Sequence, residues 1–214
     1  MQATEATAAW REGAPVSQAE RPAPSDPLLR ALVARALDGD TAAFDGLMQM
    51  TERRVAGLAY RLLGSRDQAR EAVQEVFLRV FRSLHRFRIE GDLYAWLFRI
   101  TVNVSHDVRR KAGRHVSLEE EREAGRVAEP SAESDSEDRL LHAERWRLIG
   151  EALSTLPAGE RNALVLRDVE GLSTEDVARV LGIRPTTIRS QISTAREKVR
   201  RHCARILGGR ESRT

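Results

Sequence analysis

Residues 160–201 constrain this chain more than any other stretch. Ser173, followed three positions later by Asp176, is a capping-box start, and it opens a helix with Val177, Ala178 and Leu181 on one side. Gly182 supplies the tight turn that ends that helix. Pro185 suits the first turn of a second helix, because its missing N–H has no partner there anyway. In the second helix Ile188, Ile192, Ala195 and Val199 fall at i, i+4, i+7 and i+11, a narrow inward stripe. The outward arc is Thr186, Ser190, Ser193 and Thr194, flanked by Arg189, Arg196 and Lys198. Short hydroxyls let a backbone come close to base edges, and flanking cations meet phosphates. The segment reads as a helix-turn-helix whose last helix lies against DNA.

The rest of the composition agrees with small helical units. Aromatics make up 5% of the 214 residues and charged residues 31%, which suits two modest cores better than one large one. No alternating apolar and polar run is long enough to demand a sheet, so the expected fold class is all-α. Net charge is only +3, but the signs are segregated along the chain, and segregation matters more for nucleic-acid binding than the total. A single cysteine, Cys203, excludes an internal disulfide and any multi-cysteine zinc site. The histidines lack ligand spacing, so no metal or other cofactor is expected. No apolar run approaches the ~20 residues needed to cross a bilayer, and no secretory signal opens the chain; the expected location is the cytoplasm.

Along the chain, residues 1–27 are rich in Pro, Ala and Glu and read as a disordered tail. Four helices are expected over 28–115. The first carries Leu28, Leu29, Leu32, Val33, Ala36 and Leu37 inward, and Asp40 caps the second. The second buries Phe44, Leu47, Met48, Val55, Leu58, Ala59 and Leu62; Gly64 lies beyond its end. The third turns Ala69, Val73, Val76, Phe77, Val80 and Leu84 inward. The fourth does so with Leu93, Leu97, Ile100, Val104 and Val108. Residues 116–138 form a linker; from Glu119 to Asp138 it holds nine acids against Arg122 and Arg126, so it self-repels and stays extended. A second helical domain spans 139–207, its first helix ending at Pro157, and 208–214 form a second tail.

Two further faces stand out. The third helix presents Asp67, Glu71, Glu75, Leu78 and Arg82 outward, and an apolar Leu78 among charges suits a docking partner. The fourth presents Arg99, Asn103, His106 and Arg110 on one ridge with Arg109 beside it. Asn can bond a base edge and Arg a phosphate, and Phe87 and Tyr94 near the preceding loop could stack on an unpaired base. Trp96 and Phe98 read as packing groups.

These residues resemble the bacterial sigma factors of the extracytoplasmic-function (ECF) group, the smallest of the sigma-70 family. DQAREAVQEVFLRVF at 67–81 resembles the family's polymerase-docking helix, and WLFRITVNVSHDVRRK at 96–111 its promoter-melting helix. LPAGERNALVLRDVEGLSTEDVARVLGI at 156–183 resembles its domain for the upstream promoter element. The match covers roughly 28–111 and 139–203, with only a tether between the two. The resemblance implies a protein that binds core RNA polymerase, directs it to promoters and helps open them, with no chemistry of its own. It implies that Glu71, Gln74, Glu75 and Leu78 dock on the large catalytic subunit. Glu90, Gly91 and Asp92 would help form a pocket for a flipped −10 base, near which Arg99, Asn103, His106, Arg109 and Arg110 hold the strand. Arg184, Thr186, Thr187, Arg189, Ser190, Gln191, Thr194, Arg196 and Lys198 would serve the −35 element. The tether would run through the polymerase's RNA channel, and an anti-sigma factor would be a further partner. Gln68 and Arg70 stand where the family usually carries acids, and Gln191 where Arg or Lys is common.

Two rival readings compete with this one. A transcription regulator that binds operator DNA without joining polymerase explains the helix-turn-helix equally well, but not the polar ridge or Leu78. A nuclease holding metal on the acidic run would need a fixed geometry that a tether lacks.

Overall fold

The computed structural model describes residues 27–115 and 148–211, and every element among them is helical. The expected tail before Pro27 and the acidic linker lie outside the described residues. The chain divides into two compact units.

The first unit holds α1 (Pro27–Leu37), α2 (Thr41–Leu63), α3 (Arg66–Ser83), a 3₁₀ turn at Leu84–Arg86, and α4 (Leu93–His115). Local chemistry fixes each boundary. Asp40 accepts from the Ala43 N–H through one oxygen, while the other takes the Arg35 guanidinium at 2.6 Å, which ties the end of α1 to the start of α2. These contacts hold the Asp40 carboxyl below its ordinary range, the backbone N–H of Ala43 contributing most. Gly64 closes α2 at φ 78°, where its N–H reaches the Tyr60 carbonyl and a side chain would be strained. Ser65 caps α3 through the Gln68 N–H.

The core joins Leu47, Val55, Leu58 and Leu62 of α2 to Val76, Phe77 and Val80 of α3 and Leu97, Phe98 and Val104 of α4, all nearly or fully buried. Each such side chain contributes about 1.5–3 kcal/mol through burial. Helix α4 buries more than its expected stripe, adding Tyr94, Val102, Thr101 and Ser105. The reason is position: α4 packs against both α2 and α3, so more of its circumference is covered. Conversely Leu28, expected inward, is 59% exposed at the first turn of α1, and Met48, Val73 and Ile100 are only half-buried.

The second unit opens with a helix, α5, described over 148–154, followed by α6 (Ala158–Leu164), a π-helical turn (Val165–Val169), α7 (Thr174–Leu181) and α8 (Pro185–Glu211). Helix α5 ends before Pro157 as expected. The end of α5 is closed from across the turn: the buried Arg161 guanidinium donates to the carbonyls of Leu153, Ser154 and Leu156 at 2.7, 3.0 and 3.0 Å. Leu153 and Ser154 lie in the last turn of α5, where carbonyls lack helical partners, and Leu156 lies just beyond it. In the π turn the Glu170 N–H reaches back five residues to Val165, so one extra residue bulges the helix. Helix α8 continues to Glu211, past the boundary expected at 207, with Ile188, Ile192, Ala195 and Val199 buried as the stripe requires.

Candidate nucleic-acid interface

The helix-turn-helix forms as its local chemistry dictates. The Ser173 hydroxyl accepts from the Asp176 N–H at 3.0 Å and donates to the Asp176 carboxylate at 2.6 Å. Gly182 turns the chain at φ 67°. Helix α8 then starts on Pro185, and Arg184, Thr186, Thr187, Arg189, Ser190, Ser193 and Thr194 are all exposed. They form one open surface of hydroxyls and cations. Arg189 meets Glu175 of α7 at 3.1 Å, yet both side chains remain some 60% exposed.

Three other residues expected at the upstream element are tied to the protein's own flank. Arg196 gives two hydrogen bonds to the Asp168 carboxylate, at 2.6 and 2.8 Å, and these hold its proton more tightly than usual. Lys198 donates to Glu160 at 2.8 Å. Gln191 packs so close to α6 that a Cβ on Gly159 would stand 3.0 Å from its amide nitrogen. At seven-residue spacing Gln191 and Lys198 share the side of α8 that faces the start of α6, so they lie off the open arc. Glu160 and Asp168, the acidic partners of Lys198 and Arg196, lie 38 and 28 positions earlier in the chain, beyond the reach of any local pattern.

In the first unit Arg99, Asn103, His106 and Arg110 stand exposed on one ridge of α4. Arg109 lies half-buried beside them, donating to the Leu62 carbonyl at the end of α2, and burial lowers its pKa. Partial cover of its otherwise exposed ring also lowers the pKa of His106, with the Arg109 charge adding to the effect. In the loop ahead of α4, Glu90 and Gly91 are exposed, and a Cβ at Gly91 would come within 3.0 Å of the Arg88 carbonyl. Asp92 is occupied as the cap of α4, accepting from the N–H groups of Tyr94 and Ala95 at 2.9 and 3.1 Å. Phe87 is half-buried and leans on Trp96 at 5.1 Å. Tyr94, expected as a stacking platform, is instead a core residue, 5% exposed with the Arg54 guanidinium 3.9 Å above its ring.

On α3 the expected docking residues Glu71, Gln74 and Leu78 are exposed and Glu75 is half-exposed. One further apolar residue shares this face. Phe81, a turn beyond Leu78, is 58% exposed and leans edge-on against Phe44 at 5.1 Å.

Among the described residues no cluster of His, Cys, Asp and Glu could hold a metal ion, and no helix is long and apolar enough to cross a membrane. Burial pushes the Cys203 thiol up, away from the reactive thiolate. An open helix-turn-helix surface, a second polar ridge and a partly apolar exposed face on α3 fit one class: a helical DNA-binding protein that works beside a partner.

The comparisons sharpen that class. Residues 47–115 match Sigma-70 region 2, and residues 146–199 match Sigma-70, region 4. The chain is 35% identical to the ECF RNA polymerase sigma-E factor of Haemophilus influenzae, across 79% of this chain and 92% of that protein. It is 36% identical to the RNA polymerase sigma-H factor of Pseudomonas aeruginosa, across 78% and 90%. Its backbone resembles that of the sigma factor RpoE solved with the anti-sigma factor NepR from Bartonella quintana: TM-score 0.59, 27% identity, 74% of this chain and 95% of that one. The chain belongs to the sigma-70 family, in its ECF group. It is a sigma factor, acting with RNA polymerase at promoter DNA.

Proposed function

We propose that the three surfaces divide the work of initiation. Helix α3 docks on the large catalytic subunit of core polymerase through Glu71, Gln74, Glu75 and Leu78, with Phe81 extending the apolar part. The α4 ridge of Arg99, Asn103, His106 and Arg110 holds the non-template strand of the −10 element, while Glu90 and Gly91 border the base that leaves the stack. Capturing that base offsets a few kcal/mol of unstacking, which couples binding to opening. Asp92 and Arg109 serve by fixing the loop and the helix rather than by direct contact. On α8, Arg184, Thr186, Thr187, Arg189, Ser190 and Thr194 enter the major groove at the −35 element. Gln191, Arg196 and Lys198 set the pose of that helix.

The observation that carries this reading is the exposed arc of hydroxyls and Arg189 on a helix whose other faces are buried or ion-paired. The acidic linker follows the RNA channel. An anti-sigma factor is a further partner, as one is for the Bartonella quintana sigma factor. The chain carries no chemistry of its own and acts in the cytoplasm, where polymerase is.

Core polymerase lacking any sigma factor, reconstituted with this chain on genomic DNA, tests the proposal. Sequenced transcript starts should share −35 and −10 elements at fixed spacing. Binding to duplex alone, with no gain in polymerase recruitment, would support the operator-binding rival instead.

A further inference from the structure

We infer that Asp107 is a positioning residue that governs how freely Arg110 meets nucleic-acid phosphate, and that Arg79 of α3 sets the strength of its grip. The inference rests on the reading that the α4 ridge holds an unpaired strand.

Asp107 stands on α4 beside the ridge and divides its carboxylate between two arginines. One oxygen accepts from Arg110 Nη2 at 2.9 Å, and the other accepts from Arg79 Nη2 at 3.0 Å. Arg79 is shared in turn, its Nε donating to Glu75 at 2.7 Å. Four alternating charges therefore run from the docking face of α3 to the strand-holding face of α4. Arg79 and Asp107 are about two-thirds covered, whereas Arg110 is 70% exposed.

A guanidinium has one charge and a fixed fork of N–H donors, so a carboxylate already bound to it competes with an incoming phosphate. Asp107 thus holds Arg110 back from indiscriminate phosphate contact. Arg79 draws part of the same carboxylate's charge and loosens that hold. The two neighbours must then act in opposite directions on Arg110. A purely structural ion pair would not: breaking it from either side would disturb α3 against α4 in the same sense.

The test uses holoenzyme reconstituted from the full chain, saturated with core polymerase. The probe is a short fluorescent single-stranded DNA with the non-template sequence of a promoter that the holoenzyme starts from. Asp107→Asn, close to isosteric, should tighten binding about three-fold, and Arg79→Gln should weaken it about three-fold, the scale of a partly exposed pair. Arg79→Lys, which keeps the charge, should stay near wild type. Both shifts should vanish in an Arg110→Ala background, which separates them from the bulk change in net charge. Shifts in the same direction, or shifts that persist without Arg110, overturn the inference alone. Arg110→Ala by itself should lower the salt slope of binding by about 0.7, one phosphate contact to a single strand. No change in slope or affinity there overturns the strand reading, and this inference with it.

Discussion

Asp168, in the π-helical turn, takes the guanidinium of Arg196 on α8 with both of its oxygens, at 2.6 and 2.8 Å. The extra residue of the π turn aims that carboxylate at the middle of the recognition helix. Asp168 keeps 11% of its side chain exposed and Arg196 38%. Removing the acid strands a half-covered cation, whereas the intact pair on its own is worth little. Asp168→Ala should therefore cost about 2 kcal/mol, below the range for fully buried pairs because Arg196 reaches water. Urea unfolding followed by circular dichroism checks this; an Asp168→Ala midpoint equal to wild type removes the pair from the account of how α8 is held.

Arg161 should prove more costly. Its guanidinium serves three carbonyls at and just beyond the end of α5, and it is 7% exposed. Arg161→Met keeps the stem but removes the side-chain donor to the Ser154 and Leu156 carbonyls, at about 1–3 kcal/mol for each one that water cannot reach, while Leu153 keeps the Leu156 N–H. The same unfolding assay should show a loss of at least 2 kcal/mol.

Phe81→Ala should weaken assembly with core polymerase about ten-fold, the scale for an aromatic contact truncated in an interface, equivalent to about 1.4 kcal/mol. Since the ring is 58% exposed and touches the core through Phe44 alone among the aromatics, its loss should cost the fold only the ~0.5–1.5 kcal/mol of one edge-on pair. Fluorescence titration of core with labelled chain measures the first and calorimetry the second. Unaltered affinity excludes Phe81 from the docking face.

Arg189→Ala should weaken promoter recognition by about 1–3 kcal/mol and relax specificity at one −35 position if the guanidinium reads a base. A uniform loss over all sequences would make it a phosphate contact instead. Competition binding on a −35 library separates the two results.

His106 gives the chain a pH dependence of known sign. Partial desolvation of the ring and the Arg109 charge lower its folded-state pKa below the ordinary 6.5. The unfolded chain therefore takes up a proton at a pH where the folded chain does not. Stability attached to this residue is present above pH 6.5 and is lost as pH falls from there through the lowered folded value. His106→Gln should flatten that part of the stability profile, which denaturation at a series of pH values would reveal.

The helices of this protein, their caps and the helix-turn-helix were legible in the sequence because they depend on neighbours. Asp40 caps α2 three residues from its partner, Ser173 does the same for α7, and Gly64 and Gly182 turn where no side chain fits. The buried stripe of α8 was likewise a matter of period. The family resemblance rested on those local patterns in their order. Tertiary structure alone decided which polar groups remain free. Arg196, Lys198 and Gln191 look like DNA contacts in sequence, yet their partners Asp168, Glu160 and Gly159 lie 28, 38 and 32 positions away. Tyr94 could have been a stacking surface until Arg54, forty residues earlier, covered it. Whether a charge faces solvent or another side chain is a property of packing, and no local pattern encodes it.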